Sequence, residues 1–202
     1  MRKTVVPLLA VAVALSLPAC RKKEAPPDPN RLVADLRSPD RQKSGEARLE
    51  LIRLGEPAVP AVAGMLRSGT PEEKVAAANT LWGMGARARA AAPDLAAALE
   101  DPDPGLRAAV AMALENMGPA AEPAVPALAK AVRDRDAHVR QAAVKALGAI
   151  GPAAKAALPA LTRALRRGSW PEAEEAVRRI RGLQPGTVIE LGPEQPGEAE
   201  EP

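Results

Sequence analysis

The chain of 202 residues contains no phenylalanine and no tyrosine, and only one histidine and one cysteine. Each shortage excludes a class of chemistry. A metal centre needs several correctly spaced ligands, and His138 with Cys20 supplies no H-x-x-x-H, C-x-x-C or H-E pair. Nucleophilic catalysis needs a base beside the nucleophile, and no serine has a histidine candidate other than His138. One cysteine cannot close an intrachain disulfide. Gly83 and Gly85 flank Met84 where a helix should end, so they are caps, and no glycine-rich phosphate cradle is present. A groove that stacks flipped bases would be lined with aromatics, and the chain has only Trp82 and Trp170. No catalytic residue, metal ligand or cofactor site is expected, and no nucleic-acid partner.

What remains is mostly small and apolar. Hydrophobic residues make up 47% of the chain, with alanine ahead of leucine and valine. Alanine favours helix and covers little area, so such a core calls for closely approaching helices. Net charge is +3, unevenly placed. Residues 183–202 hold five of the acids and no Lys or Arg, which leaves residues 21–182 mildly basic. That is short of the dense basic stripe of a nucleic-acid binder.

The N-terminus carries an export pattern. Arg2 and Lys3 precede a nearly wholly apolar run over residues 4–17. Fourteen residues suit a signal h-region and are short of the ~20 that a membrane span needs. The run ends in Leu17-Pro18-Ala19-Cys20, which resembles the bacterial lipobox. That resemblance implies cleavage after residue 19 and a diacylglycerol on Cys20. Arg21 stands where an Asp would resemble an inner-membrane retention cue, so the resemblance leans towards the outer membrane of the bacterial envelope. Residues 20–29 then read as the lipidated cysteine and a proline-rich tether.

A period of 33 residues organises the rest. Pro60, Pro93, Pro126 and Pro159 each open an apolar pair two and six residues on: Val62 and Leu66, Leu95 and Leu99, Leu128 and Val132, Leu161 and Leu165. Proline is tolerated in a first helical turn, where its missing N–H has no partner to lose. Gly85, Gly118 and Gly151 share the period, and Gly55 comes three residues early. Leu51, Leu81, Leu114 and Leu147 lie four residues before these glycines. The spacing predicts helices that end at a left-handed glycine. Asp40, Thr70, Asp103, Asp136 and Ser169 read as N-caps, with capping boxes at Thr70–Glu73 and Ser169–Glu172.

Each unit is thus a cap, a first helix, a Gly–Pro turn and a second helix. Full units are expected over about 38–69, 70–102, 103–135 and 136–168. A lone second helix before them and a lone first helix after them act as caps. Glu175 stands where Ala76, Ala109 and Ala142 stood, as befits an end on which nothing stacks. The expected organisation is signal peptide 1–19, tether 20–29, solenoid 30–182 and a disordered acidic tail 183–202.

Asp101-Pro-Asp103-Pro-Gly-Leu-Arg107 and Asp134-Arg-Asp136-Ala-His-Val-Arg140, each leading into an alanine-rich helix, resemble the HEAT repeats, in particular the short type of the phycobilisome lyases. The first unit departs most, with Lys43-Ser44 in place of Val-Arg. The resemblance implies an all-α, right-handed solenoid of helix pairs and a role as a binding scaffold. It also implies that Arg107 and Arg140 are structural, each meeting an aspartate of a neighbouring repeat.

Two features are candidate partner-binding sites. Trp82 shares a repeat column with Ile52, Glu115 and Gly148, a column that reads as partly exposed. Lys130, Arg133, Arg163, Arg166 and Arg167 gather along the second helices towards the C-terminal end. A strip of that charge fits an acidic protein partner. The expected function is a non-catalytic, lipid-anchored, protein-binding scaffold. Two other readings stay open: a lyase-like protein that attaches a pigment or cofactor, and a cytoplasmic regulatory HEAT protein.

Overall fold

A computed structural model describes residues 27–191 of the chain. These residues form ten α-helices: α1 (Pro29–Leu36), α2 (Arg41–Leu54), α3 (Val59–Ser68), α4 (Pro71–Met84), α5 (Ala92–Ala98), α6 (Pro104–Met117), α7 (Val125–Ala131), α8 (Ala137–Ile150), α9 (Leu158–Arg166) and α10 (Pro171–Arg181). No strand occurs among the described residues. The helices stack as an all-α repeat solenoid. The long helices α2, α4, α6, α8 and α10 follow one another in one layer, and α1, α3, α5, α7 and α9 in the other. The expected signal peptide and Cys20 lie outside the described residues.

Caps and apolar slots build this arrangement locally. The carboxylates of Asp40, Asp103 and Asp136 each accept from two backbone N–H groups of the turn they open. Thr70 and Glu73 form a reciprocal capping box, which satisfies donors that a helix start leaves orphaned. Leu51, Leu81, Leu114 and Leu147 are wholly buried at the seam between units. So are Leu95, Leu128 and Leu161 from the second helices. Most of the remaining core is alanine, including Ala91, Ala124 and Ala157 in the turns, which lets the helices approach closely.

The turns differ from expectation. Gly55, Gly85, Gly118 and Gly151 have φ of 56° to 70°, but ψ near −130° to −139°. That is the mirror-β region, not the left-handed helical region, and it suits glycine alone. The chain then enters a 3₁₀ segment of seven residues at 85–91, 118–124 and 151–157. The first turn has only three such residues, Glu56–Ala58, which absorbs the shortened Gly55–Pro60 spacing. The four prolines then fall in the first turns of α3, α5, α7 and α9.

Two further expectations are corrected at the C-terminal end. Ser169 does not cap α10, and no Ser169–Glu172 box forms; Trp170 occupies the N-cap with φ −142° and ψ 92°. Pro171 is the reason, because the residue before a proline is pushed out of the helical region, so α10 starts at Pro171 itself. Glu172 instead accepts from Gln141 Nε2 at 3.2 Å, tying α10 to α8. The expected disordered tail also begins too early. Residues 183–191 are irregular but held: Arg178 Nε donates to the Thr187 carbonyl at 2.9 Å and Arg181 Nη1 to that of Glu190 at 3.4 Å. Ile189 packs half-buried against the core. Residues 192–202 lie outside the described residues.

Candidate functional site

A ladder of ion pairs runs along the loops that close each unit, and its last rung is altered. In the second unit Lys74 Nζ meets Asp101 Oδ2 at 2.8 Å. In the third, Arg107 grips Asp134 with both prongs, Nε to Oδ2 at 2.8 Å and Nη2 to Oδ1 at 2.7 Å. Nη1 of Arg107 also donates to the carbonyls of Asp101 and Pro102, at 2.9 and 3.1 Å. The side-chain pair therefore joins the two ends of one unit, and the backbone contacts join that unit to the one before. This corrects the expectation that each arginine meets a neighbouring repeat's aspartate.

These carboxylates are doubly engaged. Asp101 and Asp134 also accept from the N–H groups of Asp103 and Asp136. The hydrogen bond from Lys74 holds the Asp101 carboxyl below its ordinary range, and that from Arg107 does the same for Asp134. Arg107 is in turn raised, chiefly by its bond to Asp134.

Arg140 repeats the lower half of this arrangement. Its Nη1 donates to the carbonyls of Asp134 and Arg135, at 2.9 and 3.0 Å. The acceptor column, however, reads Asp101, Asp134, Arg167 at the common 33-residue spacing. Where the ladder requires a carboxylate for the fork of Arg140, the chain supplies a third arginine-type cation. Among the described residues, no carboxylate pairs with Arg140.

The consequence is a cleft of about 470 Å³ between α7, α9 and the start of α10, lined by Arg133, Asp134, Arg140, Arg163, Arg167 and Trp170. Arg163 and Trp170 are half-buried in its wall. The equivalent groove one unit earlier sets Glu100, Asp101, Asp134 and Asp136 against Arg107, Arg133 and Arg135. One groove is nearly balanced with a slight acidic excess. The other carries four arginines against one aspartate.

Three of the five strip residues therefore come together in one cleft: Arg133, Arg163 and Arg167. Lys130 lies apart from it, paired with Glu100 Oε1 at 3.3 Å. Arg166 is half-buried and does not line the cleft. Arg163, Arg166 and Arg167 each hold an interaction within the chain, so none of them is free. Sequence reasoning missed Arg140 and Trp170 as members of the cleft. The signal was legible in the acceptor column, where Arg167 breaks the Asp pattern.

Trp82 lies in the layer of long helices, away from the cleft. It sits on α4 and is 48% exposed, with its carbonyl accepting from Asn116 Nδ2 at 2.7 Å. Leu49 on α2 and Met112 on α6 are exposed by 67% and 51%. These three project from successive long helices, three or six residues before the turn glycine, which is one helical face. The column of Trp82 is not uniformly open, because Gly148 is buried beneath Ala176 of α10. The structure does not bring Trp82 together with the arginine cleft. Among the described residues there is no cluster able to hold a metal ion and no helix long and apolar enough to cross a membrane.

The HEAT repeats family matches residues 58–125 and 92–180 of the chain, and the chain belongs to that family. No curated protein matches it. Among solved structures it is similar to an engineered protein at 18% identity and a TM-score of 0.59, covering 79% of this chain and 83% of that one. It is also similar to the complex of CpcE and CpcF of phycocyanin lyase from Nostoc sp. PCC7120, at 20% identity and a TM-score of 0.57, covering 76% and 97%. A designed armadillo repeat protein in complex with the peptide (KR)4 shares 18% identity and a TM-score of 0.56 over 75% and 80%. At these identities the likeness is one of fold.

Proposed function

We propose that the protein is a non-catalytic scaffold that binds another protein and is held at a bacterial envelope membrane by a lipid on Cys20. The observation that carries the binding role is the exposure of Leu49, Trp82 and Met112 on three successive helices. The other large apolar side chains of the ten helices are buried or half-buried, and a half-exposed tryptophan is a favoured anchor for a partner. The apolar run before Leu17-Pro18-Ala19-Cys20 supports the anchor.

Photo-crosslinkers placed at Trp82 and Met112 in the native envelope test the binding role. They should give one discrete adduct that a crosslinker at exposed Glu122 does not, and Trp82→Ala should abolish the adduct from position 112. Equal labelling from position 122, or no adduct, overturns the reading. For the anchor, Cys20→Ala should release the protein from the membrane fraction, and the wild type should carry acyl mass on its mature N-terminus. A wild type without acyl mass overturns it.

A further inference from the structure

We infer that the groove between α8 and α10 is a docking site for Trp82 of a second copy of this chain, so that the scaffold pairs with itself. The groove has a volume of about 500 Å³ and is floored by Val144, Gly148, Ala149 and Ala176. It exists because one side chain is missing. Ile52 holds the same repeat column in the first unit, and its Cδ1 covers the seam between α2 and α4 at Gly83. Gly148 carries nothing that could cover the seam between α8 and α10, which stays open above the two backbones. A notch of this size with an apolar floor takes an aromatic side chain.

The fit to a second copy comes from where the tryptophan and the groove stand. Trp82 and Gly148 lie two 33-residue periods apart in one repeat column, on helices of one layer, so they share a level along those helices. A two-fold axis parallel to the long helices, between α6 and α8, keeps every level, reverses the order from α2 to α10 and turns their exposed face onto itself. Trp82 of each copy then meets the groove of the other. The surface between the two contacts suits burial: no charged residue occurs from Val75 to Met84 in α4 or from Ala108 to Leu114 in α6, and Met112 projects there. Charge is complementary at the edge of the groove. Among the described residues neither Glu115 nor Lys145, which both line it, forms an ion pair. The same axis sets Glu115 of one copy beside Lys145 of the other. Further charged groups of the lining are engaged within the chain, Glu172 by Gln141 and Glu175 by Arg179. A second copy is thus the partner of the face that carries Trp82 and Met112, and this assignment rests on the scaffold reading of that face.

The test uses the full chain, expressed in its native envelope as two copies with different epitope tags and extracted in mild detergent. Capturing one tag should bring down the other copy. Trp82→Ala in both copies should cut this co-capture at least about tenfold. Ala149→Leu in both copies, which fills the groove from α8, should do the same. A Trp82→Ala copy paired with an Ala149→Leu copy should recover co-capture several-fold above either variant alone, because one intact tryptophan then meets one intact groove. Glu115→Lys should lower co-capture, and adding Lys145→Glu should restore it. Co-capture that ignores Trp82→Ala overturns the docking site, as does failure of both the mixed pair and the charge swap to restore it. A wild type that shows no co-capture, while its crosslink from Trp82 reaches a different protein, overturns the second copy as partner and leaves the scaffold reading standing. A Trp82 position that crosslinks to no chain at all overturns both.

Discussion

Gly148 faces Ala176 so closely that a Cβ added to it would lie 3.2 Å from the Ala176 Cα and 3.3 Å from its Cβ. The last helix, α10, thus docks on α8 through a contact between two nearly bare backbones. In earlier units the same column holds Ile52, Trp82 and Glu115; Ile52 packs half-buried against Gly83 of α4, whereas Trp82 is 48% exposed. Gly148→Ala forces α10 outward or strains α8, at a cost of about 1–3 kcal/mol. Urea denaturation followed by far-UV circular dichroism checks this. Gly148→Leu should go further and detach α10, visible as rapid amide exchange confined to residues 171–191.

The ladder predicts a sharp contrast between two ion pairs. Arg107 and Asp134 have side chains only 14% and 12% exposed, whereas Lys130 and Glu100 are 77% and 69% exposed. Arg107→Ala removes two prongs from a carboxylate and two bonds from backbone carbonyls. It should cost about 1.5–3 kcal/mol, since hydrogen bonds to charged groups carry that order of energy. Lys130→Ala should change stability by less than about 0.5 kcal/mol, because exposed pairs gain little over solvated charges. Similar midpoints in urea for the two variants would contradict the ladder.

Acid should attack the same rungs. The carboxyls of Asp101 and Asp134 titrate below their ordinary range in the folded chain, chiefly through the bonds from Lys74 and Arg107. As pH falls, the unfolded chain binds these protons first, near pH ~3.9. The stabilisation from each pair is therefore complete above that value and is lost as pH falls through the lower folded value. Thermal melts between about pH 6 and about pH 2.5 should show a steeper acid decline for the wild type than for Asp134→Asn. Parallel curves would show that Asp134 contributes nothing to the acid limb.

Backbone strain can be separated from packing at two glycines. A Cβ at Gly151 meets nothing within 4 Å, and the same holds at Gly168, but only Gly151 has a positive φ, of 70°. Gly151→Ala should therefore cost about 1–3 kcal/mol from conformation alone. Gly168→Ala should be near neutral or slightly stabilising through the unfolded state. Equal effects on the melting temperature would mean that the turn can relax out of the mirror-β region.

The amino-acid sequence by itself determined the unit. The Thr70 capping box, the Asp caps, the glycine that ends each long helix and the proline that opens each short one all act within a few residues. Their consequences follow from local φ and ψ preferences, and a 33-residue repetition makes them legible. It also fixed which side chains are buried, because Leu114 and Leu147 recur at helical spacing in every unit. Even so, two local readings failed where one residue overruled another: Pro171 displaced the cap from Ser169 to Trp170, and the turn glycines took the mirror-β rather than the left-handed helical form. Only the tertiary structure decided what lies 27 residues apart. The grip of Arg107 on Asp134, the arrival of Arg167 beside Arg140, the wall that Trp170 gives their cleft and the burial of Gly148 under Ala176 all depend on how one unit stacks on the next. Stacking angles are set by close packing of alanine-rich faces, summed over many weak contacts, and no single residue in the sequence encodes them.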